Sequence, residues 1–269
     1  MLKETAELLM ADAKPFVYIF VFLYGIVFGS FLNVCIYRIP KGESIVKVNS
    51  HCMTCGKKLK WYELVPLFSW IFLRGRCHGC RSKISVQYPL IEGATGLLFV
   101  LCLAVKGLSA DMVLCQALMC ALLVLSVIDA RTKEIPNGIN IFIAVIGLIR
   151  AAITIIPLIK AHESLLDVIL GPVAVAGVLL LILIISGGGA IGGGDVKLMA
   201  AAGLFLGFKS TLTALIIACI AGSVIHVALM KIRHLGRELA MGPYLSLGIA
   251  VCALWGDKIV SWYLGFITG

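Results

Sequence analysis

The stretch VAVAGVLLLILIISGGGAIGGGDVKLM, Val173 to Met199, passes from unbroken hydrocarbon through two glycine triplets to a single carboxylate. Residues 168–185 carry no charge. As helix, a run of that kind crosses about 30 Å of hydrocarbon, which takes roughly 20 apolar residues. The glycines then break the pattern, and Asp195 stands where the next apolar run begins. Membranes exclude carboxylates, and membrane helices do not need glycine triplets. The stretch therefore sets the fold class as membrane-spanning helix and marks Asp195 as a residue with a task.

Outward from this point the pattern recurs along the whole chain. Hydrophobic residues make up 61% of the 269 and charged ones 14%, and the mean hydropathy is +1.05. Such a composition excludes a soluble globular domain. The expectation is an all-α polytopic membrane protein with about eight transmembrane helices, at 16–37, 89–106, 111–129, 139–157, 167–186, 196–208, 211–230 and 242–266. The sixth is short. It spans only if the preceding glycines share its depth, with their backbone against protein or a wet cavity. Residues 1–15 lack the basic start of a signal peptide and the run after them is too long for one, so 16–37 is kept as a span.

Lysine and arginine placement sets the expected orientation. Ten of them fall in 38–88; Arg131 and Lys133 fall in 130–138; Lys231, Arg233 and Arg237 fall in 231–241. Eight spans put all three loops on one side, which is then cytoplasmic, with both termini outside. The net charge of +9 is this bias acting toward anionic headgroups of the lipid bilayer; no basic–aromatic motif points to nucleic acid. Three segments result: 1–37, an outer N-terminus and first helix; 38–88, a cytoplasmic loop domain; and 89–269, a helical bundle.

The loop domain holds CMTC, Cys52 to Cys55, and CHGC, Cys77 to Cys80. Two such knuckles offer four thiolates to a tetrahedral ion, for which Zn²⁺ is the default. A redox pair or two local disulfides are the other readings; a reducing compartment and the doubling of the motif weigh against them. The expected role is structural, because about 50 residues with few apolar side chains need a staple. Gly56 and Gly79 suit the tight turns of knuckles, and His51 and His78 adjoin them as alternative ligands. The other six cysteines read as small packing residues.

Three carboxylates touch the spans from the expected cytoplasmic side: Glu92, Asp129 and Asp195. Asp129 closes CALLVLSVID and Asp195 opens the sixth span, so both lie at one depth. A single charge buried there costs about 2.5–3.5 kcal/mol on insertion scales, too much for idle packing. Brought together, two carboxylates cannot both ionise, so one acts as base and the other keeps a proton. Gly192, Gly193 and Gly194 then leave room for an extended substrate beside Asp195. Residue logic alone leaves other readings open: an ion or proton pathway, a helix cap at Asp195, or an interfacial pair of Asp129 with Arg131 or Lys133. Glu92 is either a third polar group of the cavity or a helix–helix hydrogen bond. Lys197 and Arg150 read as snorkelling side chains, and Gly25, Gly29 and Asn33, four apart, as a face for close helix packing.

With these residues in hand, the sequence resembles the type IV prepilin peptidases, membrane aspartic proteases of the GxGD type. The resemblance is carried, in order, by GSFLNVCIYRIP (Gly29–Pro40), GESIV, the tetracysteine loop, WYELVPLFSW, RGRCHGC, ISVQYPLIE (Ile84–Glu92), IDARTKEIPN, GGGDVKLM and MGPYLSLG (Met241–Gly248). It implies cleavage of short basic leaders from type IV prepilins or pseudopilins, after a glycine, at the cytoplasmic face of the bacterial inner membrane. The catalytic aspartates would be Asp129 and Asp195. It further implies N-methylation of the new terminus with S-adenosylmethionine, a function associated with the tetracysteine loop. Met53, where proline is common, and Leu64, where asparagine is common, depart from the pattern and bear on the methyltransferase half. A transporter would instead spread polar residues across the midplane, a structural zinc-anchored protein would tolerate loss of either aspartate, and a presenilin-like protease would lack the tetracysteine loop.

Overall fold

The structure is a computed structural model that describes residues 2–47, 50–160, 165–189, 191–233 and 240–268; Arg237, one of the expected topology-setting charges, lies outside them. Among the described residues the regular elements are helices: α1 (Leu2–Arg38), α2 (Phe68–Phe72), α3 (Gln87–Lys106), α4 (Ala110–Thr132), α5 (Asn137–Lys160), α6 (Leu166–Ile185), α7 (Gly193–Leu206), α8 (Phe208–Arg233) and α9 (Gly242–Thr268). Seven of these are long and apolar enough to cross a membrane: α1, α3, α4, α5, α6, α8 and α9. The helix expected to be short is α7, with 14 residues, or about 21 Å at 1.5 Å per residue. The chain is thus an all-α, multi-pass membrane protein. It forms two compact units, Met1–Met112 and Val113–Gly269.

In the first unit α1 packs on α3, and small residues set how closely. A Cβ on Gly29 would sit 2.6 Å from Glu92 Cα, and one on Gly25 2.7 Å from Gly96 Cα. One turn further, Asn33 donates to the Tyr88 carbonyl at 3.2 Å and accepts from Gln87 Nε2 at 3.4 Å. The register 25–96, 29–92, 33–88 is antiparallel, and it is the close face expected from the four-residue spacing. Without a hydrophobic drive between helices in lipid, such backbone approach and polar bonding supply the association.

In the second unit α7 packs against α5, α6, α8 and α9, and Leu198, Met199, Ala202 and Phe205 are fully enclosed. A short helix ending inside apolar surroundings leaves backbone groups without partners. Three side-chain bonds meet that demand at the α7–α8 corner. Arg150 of α5 donates to the Phe205 carbonyl and lies 4.8 Å over the Phe205 ring. Asp167 of α6 accepts from Lys209 N at 3.1 Å, and Thr211 Oγ1 donates to Gly207 O at 2.6 Å. Arg150 therefore does not snorkel outward, as expected from its mid-span position; a freed carbonyl nearby is a better partner than a distant headgroup.

Candidate functional site: two aspartates in one cavity

Asp129 lies in the last turn of α4, where it is buried, and its Oδ2 accepts the Gly242 N–H, at the start of α9, at 2.8 Å. That approach requires glycine: a Cβ at 242 would stand 2.6 Å from the same oxygen. The contact joins residues 113 apart in sequence. Asp195 is the third residue of α7, and its Oδ2 accepts the Gly192 N–H at 3.2 Å. It thus closes the first turn of its own helix from within, three residues past the capping position, which Gly192 holds and which the sequence offered to Asp195 as an alternative.

Both carboxylates line a single cavity of about 380 Å³, together with Lys133, Glu134, Asn137 and Lys197 and the backbone of Gly192–Gly194. Of the glycines, only Gly192 is extended; Gly193 and Gly194 already belong to α7. Gly193 has open space where a side chain would stand, while Gly194 faces Ile135. The first turns of α5 and α7 are tied by Asn140 Nδ2 donating to Gly194 O at 3.4 Å and Lys197 Nζ donating to Asn137 Oδ1 at 2.9 Å. Lys197 therefore faces the cavity wall. The asparagines of IPNGIN, three apart and so on one helical face, were the available signal for this tie; the sequence reading passed over them.

Glu92 belongs to the first unit and the two aspartates to the second. It is buried on α3 in the first unit, where its Oε2 accepts the Leu67 N–H at 2.7 Å and Ser30 bonds its side chain. It is not among the residues lining the aspartate cavity.

The cysteine loop folds into two knuckles of the same design. Cys52 N donates to Lys57 O at 2.9 Å and Cys77 N to Ser82 O at 2.9 Å; Gly56 N returns to Cys52 O and Arg81 N to Cys77 O. Gly56 takes the left-handed turn position at φ 70°, as expected, but in the second knuckle Arg81 holds it, at φ 59°. Gly79 instead donates its N–H to Cys77 Sγ. The sulfurs of Cys52, Cys55, Cys77 and Cys80 lie within 4.8 Å of one another, a group able to hold a metal ion; neither His51 nor His78 belongs to it. All ten cysteines are free of disulfides. The N–H groups of Cys55 and Thr54 lower the Cys52 thiol to about 6, and the Ser82 hydroxyl lowers that of Cys80. Both shifts favour the thiolate that a metal requires. Cys55, by contrast, despite the Lys57 N–H beside it, is pushed up to about 11 by the Cys52 sulfur, so an ion held by all four must displace its proton.

Residues 23–105 match the bacterial peptidase A24 N-terminal domain and residues 116–227 the type IV leader peptidase family. A Bacillus subtilis protein named prepilin leader peptidase/N-methyltransferase is 32% identical, over 92% of this chain and 98% of its own length. A protein of the same name from Xanthomonas campestris is 32% identical over 90% and 92%. One from Myxococcus xanthus is 36% identical over 80% of this chain, which spans 64% of that longer protein. No solved structure matches the chain. With paired family matches along its length and relatives covered almost end to end, the chain belongs to the type IV leader peptidase family and is a multi-pass membrane peptidase.

Proposed function

We propose that the protein cleaves the leader peptide of type IV prepilins or pseudopilins after a glycine, at the cytoplasmic face of the bacterial inner membrane, with Asp129 and Asp195 as the catalytic pair. The observation that carries this reading is the shared cavity, whose walls include both carboxylates and the start of α7. The ionised member takes a proton from water, and the resulting hydroxide oxygen bonds to the scissile carbonyl carbon. The neutral member gives its proton to the carbonyl oxygen. Collapse of that adduct breaks the C–N bond as the leaving nitrogen is protonated. Gly242 holds one oxygen of Asp129, leaving its other oxygen for water. The open side of Gly193 admits extended backbone, which cleavage needs because helical amides are shielded.

The tetracysteine group fits Zn²⁺. Four thiolates about 2.3 Å from a tetrahedral ion stand about 3.8 Å apart, and Cys52 Sγ and Cys80 Sγ are 3.8 Å apart. Zinc there would fix the fold of the loop, held by Cys52, Cys55, Cys77 and Cys80. N-methylation of the new terminus completes the proposed activity, following the relatives' name, with S-adenosylmethionine supplying a methyl group to the free α-amine. A second cavity, about 320 Å³ along α8 and α9, is mostly apolar and has no carboxylate for ribose hydroxyls, so no residue is assigned to that cofactor.

Mass spectrometry of a co-expressed pilin tests the reading, since it registers cleavage and methylation separately. Wild-type protein is expected to yield the shortened, methylated product. Asp129→Asn and Asp195→Asn are each expected to leave the leader in place while the protein still inserts in the membrane. Turnover by either inserted variant rejects the pair.

A further inference from the structure

The loop between the first two membrane-crossing helices carries an apolar face that no described residue of its own unit covers. In α2 the side chains of Phe68, Ile71 and Phe72 are 47%, 61% and 81% exposed. Their i, i+3, i+4 spacing puts them on one side of the helix. The opposite side is occupied. Trp70 Nε1 donates to Ile84 O at 3.4 Å, and the Trp70 ring lies where a Cβ on Gly75 would be, 2.9 Å away. The aromatic turn Trp61–Leu64 packs beside α2, with Trp61 80% exposed.

The depth of this face is fixed by one bond. Leu67, the residue before α2, donates its N–H to Glu92 Oε2 at 2.7 Å. Glu92 is the sixth residue of α3, a membrane-crossing helix that begins at Gln87. At 1.5 Å per residue, it stands about 7 Å along the axis from that start. Leu67 is held there against a strained backbone, φ 58°, so the attachment dictates the local conformation and not the reverse. Helices lying in a bilayer interface bury an apolar face about 5–10 Å into the headgroup and acyl boundary. The charges agree: Lys60, Arg74 and Arg76, all exposed, flank the face on both sides in sequence, and basic groups beside an apolar face favour anionic headgroups.

We propose that α2 is an interfacial membrane anchor. Its Phe68, Ile71 and Phe72 face enters the acyl boundary of an anionic lipid surface, while the metal knuckles on either side of it in sequence stay in water. The loop is then a domain resting on the bilayer, clamped at the level of Glu92, and not a tethered domain free in solution.

Proteoliposomes of the full protein test this. A phosphatidylglycerol carrying a photoreactive diazirine in its acyl chain is activated in vesicles of phosphatidylcholine and phosphatidylglycerol, and labelled peptides are read by mass spectrometry. The α2 peptide is expected to be labelled as heavily as the α3 peptide that carries exposed Leu90, and several-fold above the peptide carrying exposed Met53. Replacing Ile71 and Phe72 together by Asp is expected to remove the α2 label and leave the α3 label unchanged. Labelling of α2 no higher than that of the Met53 peptide overturns the proposal. So does chemical cross-linking that ties α2 to a second copy of the chain or to added prepilin, because the face then belongs to protein.

Discussion

That Asp129 and Asp195 share one cavity was legible in the sequence, because burial makes a carboxylate expensive and each closes or opens an apolar run at the same depth. Gly242 was not legible in that way: its role exists only once α9 returns to α4, 113 residues along the chain. Its identity nevertheless controls Asp129, because any side chain there meets the carboxylate within 2.6 Å. Gly242→Ala is therefore expected to displace Asp129 and to lower the rate of leader cleavage at least about tenfold, the scale on which small misplacements of catalytic groups act. Gly177→Ala, in α6 with open space around it, is the matched control and should cleave at the wild-type rate. A normal rate for Gly242→Ala in inserted protein would mean that the approach does not position Asp129. Arg150 was misjudged at the same scale for a related reason: mid-span position speaks of cost, while the carbonyl that repays it lies on another helix.

At the scale of elements, hydrophobic runs located the helices because lipid requires every backbone bond to close within its own segment. The same rule marks where a break needs help. The α7–α8 corner is such a break, and Arg150 and Asp167 supply what the backbone lacks there. Arg150→Leu should leave the Phe205 carbonyl without its donor and destabilise the folded protein by about 1–3 kcal/mol, read as a lower midpoint in denaturant titration in micelles. An unchanged midpoint would show that water or lipid serves the carbonyl equally well. The knuckles behave differently. Cysteine spacing predicted their ligand group, but it could not reveal that Arg81 takes the position Gly56 holds in the first knuckle. Protein purified without chelator is expected to carry one Zn²⁺ per chain, and replacing Cys52 or Cys77 by Ser to remove it. Metal analysis that finds none would leave the four sulfurs as a group without a tenant. Loss of methylation before cleavage in those variants would assign the loop to the methylation half; equal loss would make it a requirement of the whole fold.

Over the whole molecule the charge is strongly positive, +9, yet the aspartate cavity is balanced. Lys133 and Lys197 line it against Glu134 and the aspartate pair, and a pair sharing one proton contributes a single negative charge. On the proposed reading, a basic leader entering this cavity would meet no net attraction. Elsewhere, Glu63 is unavailable to it: that carboxylate is buried, accepts the Lys60 N–H at 2.8 Å and pairs with Lys57 at 3.4 Å, and the Lys60 bond holds it below the usual carboxylate range. The ten lysines and arginines of 38–88 would repel a leader, though only within about 8 Å at physiological salt. On the proposed reading, recognition would rest on the substrate's hydrophobic helix within the bilayer and on the glycine at the cut, which could approach the open side of Gly193 where a branched side chain could not. Replacing the substrate glycine by valine is expected to stop cleavage. Neutralising two leader lysines should change the rate by less than about fivefold at fixed substrate density in the membrane, since exposed charge pairs contribute only about 0–1 kcal/mol. A large fall on neutralisation would instead assign leader binding to an acidic group, with Glu134, already in the cavity wall, the first to replace by Gln.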